Sequence, residues 1–345
     1  MGLEDEPAVA RASVASIRTI DASDDAYSAW FAAYDAAHQH DFPDGPHWVE
    51  HESRVRNTPN SEYDCCVLMA TDEAGATVGA AVAHLPLNDN LTMAQFEVAV
   101  PPVFRRRGIG TALLHAAEAE ARRRGRTRFM ADIEGPAGPY ESSGTRFAEH
   151  HGYTRRIVEI LRAQRLPIDA ARLDELEQAA RPHAAGYEIV TWRDLVPDQY
   201  IDEYARMMAR MSTDAPLGEL DYEPEQWDAA RVENRYARVA LMRRGSWGAA
   251  AMALDGTMAG LTEIVASHDS DRLAFQDETI VDPQHRGHRL GLMVKIANLR
   301  RLLHDRPGVQ SVWTGNADTN TFMISVNEKL GYEIAGWMAG YQRDG

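Results

Sequence analysis

Glu97-Val98-Ala99-Val100-Pro101 leads into Arg105-Arg106-Arg107-Gly108-Ile109-Gly110, and 181 positions later the chain repeats this arrangement almost residue for residue. The second version is Glu278-Thr279-Ile280-Val281-Asp282-Pro283, followed by Arg286-Gly287-His288-Arg289-Leu290-Gly291. Glu97 and Glu278, Arg105 and Arg286, and Gly110 and Gly291 are each 181 apart, while Gly152-Tyr153 and Gly331-Tyr332 keep an offset of 179. A spacing held over strand, turn and helix start predicts a duplicated domain.

Each copy has a readable chemistry. A β-branched run stops at a proline, which cannot continue a strand ladder. An Arg-rich turn containing glycine follows, and then an apolar-periodic helix begins. Glycines let backbone amides converge on a ligand, and the new helix adds unpaired N–H groups and its positive dipole end. A phosphate is the anion that suits such a turn. One Arg-x-x-Gly-x-Gly is weak evidence, but the same turn between strand and helix, twice, is strong. After the second copy, Leu292, Ile296, Leu299 and Leu303 follow at steps of 4, 3 and 4, a helical stripe.

Working outward, residues 1–15 are acidic and Ala-rich and are expected to fray. Strands are expected at Ser16–Ile20, Cys65–Ala70, Val78–Leu85, Leu91–Val100, Arg128–Ile133 and Tyr153–Leu161. Helices are expected over 23–38, with Tyr27, Phe31 and Tyr34 on a core face, over Ile109–Arg124 up to Gly125, and over Phe147–His151. The stretch His38–His51 reads as irregular. A linker helix at Leu166–Pro182 precedes a restart at Tyr187–Trp192, a helix at Ile201–Met211 and an irregular Ser212–Pro224. Strands at Trp247–Leu254, Met258–Ser267, Ala274–Val281 and Ser311–Thr314, a helix at Met323–Leu330 and a strand at Tyr332–Gly340 complete the second half. The class is α/β, with domains at 1–165 and 187–345 joined by a linker helix over 166–186.

At 345 residues the chain is long enough for two ordinary domains. A net charge of −16 argues against nucleic-acid partners and anionic membranes. Basic residues concentrate at Arg105–Arg107, suited to a polyanionic cofactor, and at Arg122–Arg128, a solvated helix end. No apolar run approaches the roughly 18–20 residues of a membrane span. The start, Met1-Gly2-Leu3-Glu4-Asp5-Glu6, has no signal-peptide core, and Glu6 stands where a myristoylation signal needs Ser or Thr. Cys65 and Cys66 are adjacent, strand-buried and ill-placed to bridge, so the cytoplasm is the expected compartment.

Both stretches resemble the acyl-CoA-binding signature of the GNAT acetyltransferase superfamily, Arg/Gln-x-x-Gly-x-Gly/Ala. The first fits at Arg105, Gly108 and Gly110; the second fits at Arg286 and Gly291 but has Arg289 in place of the middle glycine. The whole chain resembles the two-domain GNAT proteins common in actinobacteria, most densely at 95–153 and 275–333. That resemblance implies two domains, each a mixed, mostly antiparallel sheet flanked by helices. It also implies acetyl-CoA, or another short acyl-CoA, as cofactor. Val98, Val100, Arg105, Arg106, Arg107, Gly108, Ile109, Gly110 and Thr111 would hold it in the first half. In the second, Ile280, Val281, Arg286, Gly287, His288, Arg289, Leu290, Gly291 and Asn320 would do so.

Glu97 and Glu278 lie mid-strand, eight residues before the motif arginine, where an unpaired charge is rare. The resemblance makes them candidate general bases, with Glu278 preferred; the plainer reading is an arginine-paired structural Glu. Asn320, Met323, Asn327, Gly331 and Tyr332 resemble the family's second signature, with Asn327 where a proton-donating tyrosine often stands. Asn320 equally suits a helix N-cap. In the first half the matching positions are Glu141, Gly144 and Ala148. His38, His40, His47 and His51 match no zinc spacing, so no metal is expected. The expected activity is acetyl transfer to the primary amine of a small molecule, by direct attack of the amine on the thioester. A CoA-binding sensor and a protein or peptide N-acetyltransferase are the rivals. A nucleotide site is disfavoured because neither turn has Walker or dinucleotide spacing.

Overall fold

The computed structural model describes residues 16–214, 216 and 218–345, so the expected fraying of residues 1–15 lies outside the described part. Twelve strands form one sheet among these residues. The first half supplies β1 (Ser16–Ile20), β2 (Tyr63–Thr71), β3 (Thr77–Pro86), β4 (Met93–Ala99), β5 (Arg128–Pro136) and β6 (Thr154–Arg165). The second supplies β7 (Tyr187–Arg193), β8 (Arg244–Ala253), β9 (Met258–Ser267), β10 (Ala274–Val281), β11 (Ser311–Ala317) and β12 (Tyr332–Asp344). Helices are α1 (Ala26–Asp41), α2 (Glu50–Arg56), α3 (Ile109–Arg123), α4 (Ser143–His150), α5 (Ala170–Ala180), α6 (Ile201–Asp214), α7 (Ala229–Leu241), α8 (Leu290–Asp305) and α9 (Thr321–Lys329).

The strand order is β1-β2-β3-β4-β5-β12-β6-β11-β10-β9-β8-β7. Read inward from either edge, five strands of one half are followed by the last strand of the other. β12 pairs antiparallel with β5 from Gly336 to Asp344, and β6 pairs antiparallel with β11 from Ala317 back to Ser311. The sequence halves therefore exchange their final strands, and residue 165, the expected boundary, is the last rung of the β6–β11 ladder. Most neighbours are antiparallel. The two parallel contacts are short: Met93–Gln95 beside Arg128–Met130, and Ala274–Phe275 beside Val312–Trp313. Beyond them β4 parts from β5, and β10 from β11.

Packing follows the pleat. In the first half, α3 buries Ile109, Leu113, Leu114, Ala117 and Ala121 against Phe96 and Phe129. The opposite face takes Tyr27 and Trp30 of α1 against Val67, Met69 and Val82. In the second half α8 plays the part of α3, while α6 and α7 cover the other face. The linker helix α5 is capped by Asp169 Oδ1, which accepts from Ala171 N at 2.9 Å. It also joins the core through Leu173 and Leu176. Each such leucine contributes about 2 kcal/mol on burial.

The structure departs from the sequence reading in two helices. The supposedly irregular His38–His51 holds the end of α1, with His38 and His40 in its last turn, and the start of α2. Helix α7 was not expected at all. It buries only Val232 and Tyr236 among many charges, so its apolar stripe is too thin to read.

Candidate active site

Both turns use the same backbone. Two residues of each turn adopt left-handed conformations: Arg106 (φ 63°) and Gly108 (φ 81°) in the first, Gly287 (φ 88°) and Arg289 (φ 55°) in the second. These are matching positions, 181 apart. Each copy fills one with glycine and forces an arginine into the other, which costs about 1 kcal/mol. Arg289 thus adopts the dihedral the missing glycine would have taken, and α8 still starts there.

The surroundings of the turns differ. Arg105 braces the first: its Nε donates to Val100 O at 2.8 Å, and its Nη groups pair with both Asp41 oxygens at 2.8 Å. Arg107 donates to Val103 O, and Thr111 Oγ1 meets His151 Nε2 at 3.1 Å. Ile109 is buried, and Val98 and Val100 pack beside the same core. Arg106, Gly108, Gly110 and Thr111 line a cavity of about 2310 Å³. A Cβ at Gly110 would come within 3.3 Å of the Phe147 ring, so that position is a tight cradle wall. The first helical amides have no intrahelical acceptor and are free for an anion.

No residue of Arg286–Gly291 lines that cavity. The second turn is tied instead to the linker. Arg289 Nη1 donates to Ala179 O at 2.7 Å, and His288 Nδ1 lies 3.0 Å from His183 O. Tyr187 Oη sits 2.9 Å from His285 Nδ1, and Arg286 Nε reaches Val281 O at 3.4 Å. Ile280 and Leu290 are core residues. Asn320 is an N-cap, its Oδ1 accepting from Met323 N at 3.2 Å. Asn327 is buried, accepting from Lys295 Nζ at 2.7 Å and donating to Asn316 Oδ1 at 2.6 Å. The tyrosine place thus belongs to a polar chain around a buried lysine.

The cavity lies between the halves, lined by α1, α2, β4 and β5 on one side and by α7, β9 and β10 on the other. Its volume exceeds the roughly 300–1,000 Å³ of a small-ligand pocket, leaving room for two reactants. Glu97 faces it but is not a free base. Arg56 Nη2 pairs with it at 2.5 Å and Tyr34 Oη donates at 2.9 Å. Burial opposes its charge, yet the Arg56 guanidinium and these hydrogen bonds hold the carboxyl down at about 2. This geometry supports the arginine-paired reading of Glu97 over the base, and it places Tyr34 on the cavity wall as well as on the core face.

Asp132 is the carboxylate that sequence reasoning missed. It lies on β5 where β4 parts from it, and Gln95 Nε2 donates to its Oδ2 at 2.7 Å. It keeps solvent contact through the cavity. The enclosing protein, with Glu134, Glu159 and Glu97 nearby, pushes its carboxyl up to about 7. The available signal was a charge in mid-strand, the same one that drew attention to Glu97.

Glu278 faces the cavity from the second half. A register shift between Gln276 and Thr279 marks a bulge in β10, which re-aims the side chains at Asp277 and Glu278. Arg235 is committed to Asp277 and Glu263, at 2.6 and 3.2 Å. Burial, reinforced by Asp277, pushes the Glu278 carboxyl up to about 8. Remaining candidates are inert: burial drives the Cys65 thiol to about 11, and Met207 and Met208 are core. His38 meets His47 at 2.8 Å and Glu134 at 3.4 Å, but no group of three metal-ligating side chains occurs among the described residues. No helix among them is long and apolar enough to cross a membrane.

Residues 27–139, from α1 through β5, match the model of the Acetyltransferase (GNAT) family. A tandem GNAT protein from the clavulanic acid biosynthesis pathway superposes with a TM-score of 0.76 at 24% identity, over 95% of this chain and 98% of its own. This chain has the tandem GNAT fold. A GCN5-related N-acetyltransferase from Sphaerobacter thermophilus aligns over 95% of each chain, with a TM-score of 0.62 and 16% identity. A putative acetyltransferase from Pyrococcus horikoshii aligns over 96% of this chain and 89% of its own, with a TM-score of 0.54 and 12% identity. No curated protein sequence matches significantly. The matched segment, about a third of the chain, holds the first turn, Glu97 and Asp132.

Proposed function

We propose that the protein is an N-acyltransferase that moves an acetyl group from acetyl-CoA, or another short acyl-CoA, to the primary amine of a small molecule. One observation carries this reading: the first turn, the splay of β4 from β5 and Asp132 open on one cavity. The residues fit the cofactor, since the turn presents unpaired amides beside Arg106 and a glycine against Phe147. When bound, acyl-CoA supplies the thioester as acyl donor. The amides of Gly108, Ile109, Gly110 and Thr111 would hold its pyrophosphate. Beyond Gln95 the β5-facing backbone groups of β4 lose their partner strand, which leaves N–H donors to face the carbonyl oxygen. Asp132 accepts the proton that the acceptor ammonium must lose.

A small acceptor is favoured because the cavity is covered from both sides. Glu225 and Trp227 line it from the segment before α7. That segment is pinned across the halves: Glu223 exchanges hydrogen bonds with Asn90, and Arg231 pairs with Asp89 and Glu62. Carboxylates at Asp132, Glu134 and Glu159 suit a cationic amine.

A second reading keeps Glu278 as base, on the strength of the β10 bulge and its unpaired carboxylate. A base with a raised pKa works only when ionised, so rate rises with pH through that pKa. Asp132→Asn should lower kcat at least about 100-fold and remove a limb centred near pH 7, with acetyl-CoA affinity unchanged. If Glu278→Gln does this instead, with a limb near pH 8, the second reading holds. Acetyl-CoA binding without thiol release for any amine would leave a sensor.

A further inference from the structure

We propose that Arg238 is an anion-binding residue of the acceptor site, donated by the second half, and that the acceptor carries a carboxylate several bonds from its reacting amine. The inference rests on the acyl-transfer reading above and adds the acceptor's chemical class.

Arg238 lies on α7 and lines the cavity. Its guanidinium stands over the Tyr63 ring, 5.6 Å from the centroid. Among the described residues no carboxylate approaches within salt-bridge distance, and its buried Nε has no hydrogen-bond partner. Every neighbouring arginine is already committed: Arg56 to Glu97, Arg231 to Glu62 and Asp89, Arg235 to Asp277 and Glu263, Arg244 to Glu52. Tyr63, Cys65 and His84 face Arg238 uncharged: the Tyr63 and Cys65 groups are raised by burial, and burial holds His84 neutral, down at about 3, while Glu62, whose charge reaches Arg238, is paired with Arg231. A half-buried cation is therefore left without its counter-ion, in a chain whose net charge is −16. An unpaired charge in such a place is costly unless a ligand supplies the partner.

The counter-ion is not the cofactor's phosphate. Cys65, His84 and Gln95 form one row across β2, β3 and β4, and the first turn begins beyond Ala99 at the far end of β4. Arg238 stands at the β2 side of that row, while Asp132 meets Gln95 at its β5 side. From β2 to β5 is three inter-strand spacings, about 14 Å. A molecule whose carboxylate meets Arg238 and whose ammonium meets Asp132 is thus an extended zwitterion, such as an ω-amino acid. A bare diamine would leave Arg238 unpaired.

The test compares each amino acid with its decarboxylated counterpart, lysine against cadaverine and ornithine against putrescine, using acetyl-CoA and thiol release. The wild-type protein is expected to favour the amino acids by about 10–100-fold in kcat/KM, the value of one charge-assisted hydrogen bond. Arg238→Gln should raise KM for the amino acids by that factor without lowering kcat and should not raise it for the diamines, and Arg238→Lys should recover part of the loss. The urea midpoint of Arg238→Gln should not fall, since no ion pair is broken. Equal use of diamines and amino acids by the wild type, or a KM rise for both classes in Arg238→Gln, overturns the proposal. If no amine releases thiol, the same pairs are titrated calorimetrically in the presence of CoA, and absence of a carboxylate preference there overturns it equally. Acetyl-CoA titration separates the two readings: binding without such a preference removes Arg238 alone, and no binding removes the acyltransferase.

Discussion

Glu97→Gln should damage folding and leave the chemistry intact. The ordinary carboxyl value of 4.5 falls to about 2 in the fold because Arg56 pairs with Glu97 at 2.5 Å and Tyr34 donates to it. That difference corresponds to about 3 kcal/mol favouring the ionised state. Each side chain of the pair is only 20% exposed, so solvent screening reduces the figure little. Because the folded value is depressed, the contribution is complete above the unfolded value of 4.5 and is lost as pH falls toward 2. Arg56→Met is the harsher change, since it leaves a buried carboxylate near Asp132; a cost of about 3–5 kcal/mol is expected. The double variant should cost less than the sum of the two, with a coupling of about 1–3 kcal/mol.

Urea unfolding followed by circular dichroism at pH 7 gives all three values. Repeating wild type and Glu97→Gln at lower pH should narrow their gap through the window just named. Turnover per folded molecule and the pH–rate profile should stay within a few-fold of wild type. Glu97→Gln with unchanged stability, a 100-fold loss of kcat and a missing limb in that profile would refute the argument and restore Glu97 as base.

Gly110→Asp should raise the acetyl-CoA Kd by at least about 10-fold, because it sets a carboxylate in the phosphate cradle, whereas Gly291→Asp should not change it; calorimetric titration decides. Lys295 is buried, and burial lowers its amine to about 7, so the unfolded chain binds the extra proton between that value and 10.5. Stability should therefore rise with pH across that window, and Lys295→Met should raise the urea midpoint at pH 7 and flatten the rise. A fragment ending at residue 165 lacks β12, which leaves the β5 edge bare; it should aggregate on size-exclusion chromatography, and a soluble monomer would show that the exchanged strand is dispensable.

The turns were legible because their physics is local. Proline, glycine and helix start sit within a dozen residues, and even the doubt over Arg289 could be posed from sequence as a question about one dihedral. The pairing of Glu97 was not legible for the opposite reason. Its partner Arg56 lies 41 positions earlier, at the end of a helix that the sequence reading did not assign, and no period links the two. Asp132 carried the same mid-strand signal as Glu97, but only the divergence of β4 and β5 shows which of the two carboxylates is free. Arg238 was beyond reach twice over, since α7 has almost no apolar stripe and its target is in the other half. The strand exchange left no trace either, because the alternation within β6 and β12 is the same whichever sheet they enter.

The halves are unequal in a way that the exchanged strands make workable. With β12 beside β5 and β6 beside β11, the halves form one sheet, and α7 of the second overhangs the cavity where the first turn opens. One phosphate turn is then sufficient. The second half keeps the turn's backbone but uses Arg289 and His288 to fasten the linker helix region, and its Asn327 links Lys295 to Asn316. What it offers the shared cavity is Glu278 and Arg238, the groups that on the proposed function would meet an acceptor. On the proposed function, a duplicated fold would thereby divide one reaction between its copies, with the donor bound by the first and the acceptor selected by the second.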